Sequence, residues 1–171
     1  MEPIVTPGLV LREVKYKESD RILAILTPGM GVISAIAKGS LRLKNKLFSA
    51  CGLFCYSEFT LFPGKNLYTV DAAEVKTVFH GLSASVETMS LAMYLAETAL
   101  LIAPSNTEAE PVLRLLLNSF YLLSEGKIPG RKAVDETGED EKIPTAGDIR
   151  AAIGEVEVAE QNRQRAVTIE A

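Results

Sequence analysis

Between two apolar runs of the chain lies AKGSLRLKNKL, residues 37–47, which brings Lys38, Arg42, Lys44 and Lys46 together with no acid among them. Ammonium and guanidinium groups at this spacing can do one thing unaided: they can hold a polyanion by neutralising successive phosphates or carboxylates. In an extended conformation the four share parity and point to one side, with Leu41, Leu43 and Leu47 on the other. In a helix, Lys38, Arg42 and Lys46 still align at i, i+4 spacing. Either way a cationic face lies over an apolar one. Like charges this close repel, so the arrangement is unfavourable unless an anion sits near. The plainer alternative is a solvated loop whose lysines keep the protein soluble. A second basic group, LREVKYKESDR, places Arg12, Lys15, Lys17 and Arg21 around one polar turn, partly offset by Glu13, Glu18 and Asp20.

Other chemistry finds little support. His80 is the sole histidine and has no Ser, Cys or carboxylate at a meaningful spacing; a structural place between two parts of the fold is expected. No GxGxxG or GxxxxGK[ST] occurs, which argues against dinucleotide and P-loop sites. Glu58 and Asp71 fall on predicted strands with no inferable pairing. Cys51 and Cys55 alone cannot build a tetrahedral zinc site and are expected to be buried or half-buried strand residues. No enzyme, cofactor or metal centre is therefore expected.

The 171 residues are 47% hydrophobic, enough for one medium domain or two small ones. Two cysteines argue against a disulfide framework and for a reducing compartment. The longest apolar run, LAMYLAETALLIA (91–103), carries Glu97 and reads as a buried helix, not a membrane span. Met1-Glu2-Pro3 opens without a basic or apolar leader pattern, so a cytosolic protein is expected. The net charge of -4 conceals an asymmetry: residues 1–80 carry +3 and residues 81–171 carry -7.

The elements that must hold the cations follow from periodicity. GLVLREV (8–14), RILAILT (21–27), VISAIA (32–37), LFCYSEFTLF (53–62) and LYTVDAA (67–73) read as strands, with turns at KYKESD, PGMG and PGKN. Five short strands at this spacing predict a small antiparallel barrel, which also removes exposed sheet edges. Residues 82–125 change period. Ser83 or Ser85 can cap a helix running to about Ala103, with Val86, Met89, Met93, Ala96 and Leu100 on one face and Leu91, Leu95 and Ile102 on the other. Pro104 ends it. Thr107 and Glu110 suggest a capping box, with Pro111 in the first turn of a second helix, 112–125, that stops before Gly126. From Ser124 to Ala171 the chain has no Leu, Phe, Tyr, Trp, Met or Cys. That composition predicts a mostly disordered or loosely helical acidic tail. The expected class is thus α+β, mainly β in its N-terminal half, in three segments: a five-stranded barrel over 1–80, a partial α-helical domain over 81–126 and the tail over 127–171.

In a five-stranded barrel of the OB type, one strand face and its bordering loops form a groove for single-stranded nucleic acid, where basic residues track phosphates and rings stack on bases. Candidate rings are Tyr16, Phe54, Tyr56 and Tyr68. Most are expected in the core of so small a barrel, with Tyr16, flanked by lysines, the one most exposed.

The stretch from Gly8 to Leu47, with its KESDRIL turn-and-strand and its AKG segment leading into the basic loop, followed by the YSEF and LYT strands, resembles the N-terminal part of the bacterial DNA repair protein RecO family. SLAMYLAETALLI and LLLNSFYLLSEGK resemble the first helices of that family's helical domain. The resemblance covers roughly residues 4–128. It implies an N-terminal OB fold followed by an α-helical domain. It also implies a non-enzymatic recombination mediator that binds single- and double-stranded DNA, anneals complementary strands and, with RecR, helps load RecA. The acidic C-terminal tail of the single-stranded DNA-binding protein is an implied partner, and the location implied is cytoplasmic and nucleoid-associated. Carried over by position, Lys38, Arg42, Lys44 and Lys46 fall in the family's basic loop, with Leu41 where another basic residue is expected. Many members carry further helices and a four-cysteine zinc site. Here the likeness stops near Ile128 and no later cysteine exists, which suggests a truncated, frame-shifted or divergent chain with apolar surface left exposed on its helices. The competing readings are a small barrel adaptor that grasps an acidic peptide, and a shortened chain that binds nothing well.

Overall fold

The structure, a computed structural model, describes residues 2–103 and 105–126. The tail 127–171 and the predicted helix stop at Pro104 lie outside the described residues. Five strands form in chain order: β1 (Ile4–Tyr16), β2 (Asp20–Thr27), β3 (Gly31–Ala37), β4 (Tyr56–Phe62) and β5 (Tyr68–Thr77). A short helix α1 (Leu47–Ala50) stands between β3 and β4. A single 3-10 turn (His80–Ser83) precedes the two long helices α2 (Val86–Ile102) and α3 (Glu110–Ser124).

The strands close into a barrel in the order β1-β2-β3-β5-β4. This is the five-stranded OB barrel anticipated above. The strand β1 serves two partners. Its first half, Ile4 to Leu9, pairs with β4, and its second half, Leu9 to Tyr16, pairs with β2, with an irregularity between Val10 and Arg12 that bends the strand across the seam. One pairing departs from the antiparallel expectation: β3 meets β5 in parallel at Ala35↔Tyr68 and Ile36↔Thr69. Because β5 lies between β3 and β4, the chain leaving β3 must cross one end of the barrel before β4 can start. Residues 38–55 make that crossing, and this is where the basic stretch falls.

Alternation in β2, β3 and β4 sends every second side chain inward. Val10, Leu23, Ile25, Ile33, Ala35, Phe59, Leu61 and Val70 form the buried cluster, joined by Leu47 of α1 and by Cys51 just after it. Full burial of a side chain such as Phe59 is worth about 1.5–3 kcal/mol, so the barrel interior is the main source of stability in this part. At the β2–β3 turn Gly31 takes φ +65°, as the PGMG signal required.

Two compact units arise. The first comprises the described residues of 2–79 and 94–114, and the second residues 80–93 with the described residues from 115 onward. Within the first, the Asn106 and Ala109 amides donate to the carbonyls of Met30 and Pro28, both at 2.8 Å. This tertiary tie replaces the predicted capping box. Thr107 Oγ1 turns back to the Ser105 carbonyl, and Ala109, held by Pro28, supplies the first carbonyl of α3 to the Leu113 amide. Within the second, the Gly81 amide donates to Ser124 Oγ at 3.1 Å, and a Cβ at Gly81 would collide with the Ser124 carbonyl. Ser85 caps α2, its Oγ accepting from the Thr88 amide at 3.1 Å.

Periodicity put apolar residues on both sides of α2, and the structure buries a narrower set. Thr88, Ala92, Ala96, Ala99 and Ala103 are buried, while Val86 and Met93 are exposed. Apolar residues occur on every side of this helix, so periodicity alone could not choose a face. The expected exposed apolar surface is present: Val86 is 84% and Leu101 87% exposed.

Candidate nucleic-acid interface

The strand register decides where the two basic groups end up. Lys15 and Tyr16 at the end of β1 lie opposite Arg21 and Asp20 at the start of β2, and Arg21 in turn lies opposite Ala37, the last residue of β3. The turn at residues 17–19 and the crossing that begins at Lys38 therefore leave the same end of the barrel, next to one another.

The basic stretch is neither strand nor helix. Residues 38–46 run through consecutive turns before α1, a loop in place of the extended and helical conformations weighed above. The local reason is polar wiring that a regular element would have broken. Gly39 takes φ +68° and its amide donates to Asp20 Oδ1 at 2.8 Å. The Leu41 amide donates to the Ser19 carbonyl at 2.9 Å. Asn45 braces the loop from within, its Nδ2 donating to the Gly39 carbonyl at 3.0 Å and its Oδ1 accepting from the Leu47 amide at 2.9 Å. The leucines do not share one face either: Leu47 is buried, Leu41 half-buried, and Leu43 stands 81% exposed between Arg42 and Lys44.

Lys38, Arg42, Lys44 and Lys46 are all exposed, and no carboxylate among the described residues pairs with any of them. Lys15, Tyr16 and Lys17 are exposed as well. Lys17 occupies a left-handed position at φ +54°, and its Nζ lies 5.3 Å from the centre of the Tyr16 ring. The other candidate rings are less available: Phe54 is buried, and Tyr56 and Tyr68 are half-buried, Tyr68 against the barrel core. Among the acids that offset the first basic group, Asp20 is turned onto Gly39 and Glu13 onto Arg21.

Arg21 has to be removed from the set of candidate contacts. It is only 4% exposed. Its Nη1 donates to Glu13 Oε2 at 2.8 Å and its Nε to Ser40 Oγ at 3.0 Å. Its Nη2 reaches the carbonyls of Ser40, Leu47 and Phe48 at 2.7, 3.1 and 2.8 Å. The guanidinium plane also sits 5.7 Å from the Phe48 ring centre. Such a group is fully committed within the protein. Arg12 is on the surface but held by Glu97, whose two oxygens accept from Nη2 at 2.9 and 3.0 Å. Sequence reasoning passed over Ser40 and Asn45 and read Asp20 only as an offsetting charge. Their signal was the small polar residues set among the cations, the types that make turns.

Residues 1–79 match the family model described as Recombination protein O N terminal. The barrel is a RecO N-terminal domain. Curated RecO relatives extend the likeness past the barrel. DNA repair protein RecO of Acetivibrio thermocellus is 38% identical over 125 residues, covering 73% of this chain and 50% of that protein. RecO of Alkaliphilus metalliredigens is 38% identical over 125 residues, covering 73% and 51%. RecO of Caldicellulosiruptor bescii is 39% identical over 132 residues, covering 75% and 53%. The chain thus spans about half the length of the curated relatives it matches, and the RecO N-terminal match contains every cation of the loops described above. No helix among the described residues is long and apolar enough to cross a membrane.

Proposed function

We propose that this chain serves DNA repair by binding DNA strands across one end of its barrel, without catalysis of its own. The observation that carries this reading is the group Lys38, Arg42, Lys44 and Lys46, free of carboxylate partners among the described residues and mounted beside Lys15, Tyr16 and Lys17. Cations on preformed loops can track the phosphates of single-stranded or duplex DNA without first being released from internal pairs. Tyr16 offers a ring for a base. Two complementary strands screened by the same patch repel each other less, which is the physical basis for annealing. RecA loading together with a RecR-like protein, and docking of the acidic tail of the single-stranded DNA-binding protein, complete the proposed role.

The test is a titration of labelled single-stranded oligonucleotide at several ionic strengths, for the natural chain and for Arg42→Ala/Lys44→Ala/Lys46→Ala. Removing three phosphate contacts should flatten the log–log salt slope by about two, at roughly 0.7 per contact on single strands. An unchanged slope would reduce the loop to solvated surface. Leu43, exposed among the cations, favours a second reading in which the loop anchors an acidic peptide. On that reading Leu43→Ser abolishes peptide binding, and DNA affinity depends only weakly on salt.

A further inference from the structure

The loop that carries the four cations has no regular secondary structure, yet it is tied to the start of β2 along its length. Asp20 accepts the Gly39 amide, and Ser19 accepts the Leu41 amide. Arg21 reaches past the loop to Ser40 at its beginning and to the Leu47 and Phe48 carbonyls at its end. One arginine therefore holds both ends of a nine-residue turn sequence, residues 38–46, and the acid beside it holds the positive-φ glycine. Ser40 Oγ in turn donates to the Ala37 carbonyl at 2.8 Å, so the anchor continues into β3. Holding like charges in one place opposes their repulsion, and a fixed loop loses little freedom when a strand docks on it.

We propose that Asp20 and Arg21 are positioning residues of the cationic loop, presetting Lys38, Arg42, Lys44 and Lys46 for a polyanionic strand while making no contact with that strand themselves. This rests on the reading of the loop as a DNA interface, and it reverses the usual expectation for Asp20. Judged by charge alone, an acid beside a phosphate-binding patch weakens binding, and its removal strengthens it. Judged by position, the carboxylate oxygen is the acceptor that fixes Gly39, and its loss loosens the patch.

Asp20→Asn and Asp20→Ala separate the two, since both delete the charge and only the first keeps an acceptor oxygen. The measurements are fluorescence anisotropy with a labelled oligothymidylate on the full chain, and hydrogen exchange at the Gly39 amide. Asp20→Asn should bind at least as tightly as the natural chain. Asp20→Ala should bind about fivefold to tenfold more weakly, the scale set by re-ordering a few loop side chains, and its Gly39 amide should exchange faster. Equal tightening by both variants would overturn the proposal. Asn45→Ala, which cuts the brace within the loop without touching a charge, should weaken binding likewise and decides the matter if Asp20→Ala fails to fold. The triple variant Arg42→Ala/Lys44→Ala/Lys46→Ala separates the two levels. If it binds like the natural chain, the interface reading itself falls. If it binds weakly while Asp20→Ala and Asn45→Ala bind normally, only the positioning role falls.

Discussion

The Arg21 guanidinium and the Glu13 carboxylate meet at 2.8 Å across adjacent strands, the arginine buried and the glutamate about one-third exposed. The pair turns what reads as a surface basic cluster into a structural brace. Its remaining donors satisfy the carbonyls of Ser40 and Phe48 and join the Cys51 amide on that of Leu47.

Replacing Arg21 should therefore be among the most damaging single changes in the barrel. Arg21→Met strands buried carbonyls and frees both ends of the cationic loop, and should cost about 3 kcal/mol or more in urea unfolding. Arg21→Lys keeps the charge but lacks the planar fork, so it should recover only part of the loss. Full recovery by lysine would show that charge, and not the directed donors, is what matters.

Arg12 and Glu97 form a two-oxygen pair on an open surface, with side chains 52% and 60% exposed. Glu97→Gln should change stability by less than about 1 kcal/mol. It should also release Arg12 toward phosphate and steepen the salt dependence of DNA binding by up to about one unit. If affinity and slope both stay as they are, Arg12 stands outside the bound strand's path.

Burial pushes the Cys51 thiol up from 9.0 to about 12, with Arg21 pulling it down and Cys55 and Glu13 adding to the rise. The sign follows from linkage. Above pH 9 the unfolded chain gives up this proton while the folded chain keeps it, so stability is intact below pH 9 and falls as pH climbs toward 12. The decline should reach about 1.4 kcal/mol per pH unit from this group. Cys51→Ala should unfold along a shallower alkaline limb in pH-stepped urea melts; superimposable limbs would mean the folded thiol titrates normally. At pH 8 the same thiol should resist alkylation until the protein is unfolded.

Leu101 is 87% exposed on α2. A lysine there removes apolar surface from water and breaks no packing. Leu101→Lys should leave the melting temperature nearly unchanged and reduce concentration-dependent self-association in sedimentation velocity. A marked loss of stability would show that the leucine is covered in solution.

Several features could be read directly from residue order. The five strands, the positive-φ glycine after PGM, the Ser85 cap and the stop before Gly126 all rest on interactions between near neighbours in the chain, which local pattern encodes. The parallel β3–β5 seam could not be read, because its partners, Ala35 and Tyr68, are brought together only by the crossing between them. The buried face of α2 was equally hidden, since a helix apolar on all sides leaves the choice to whatever packs against it.

Residue order by itself determined that this protein has a small barrel with a concentration of cations between its third and fourth strands, because charge and hydrophobic period are local properties. Which of the barrel's cations face solvent was settled only by the tertiary structure. Lys15 and Arg21 are cross-strand partners of similar charge, yet one is exposed and the other is buried beneath the loop. The difference lies in where the carbonyls of a distant turn come to rest, and only the closed barrel sets that.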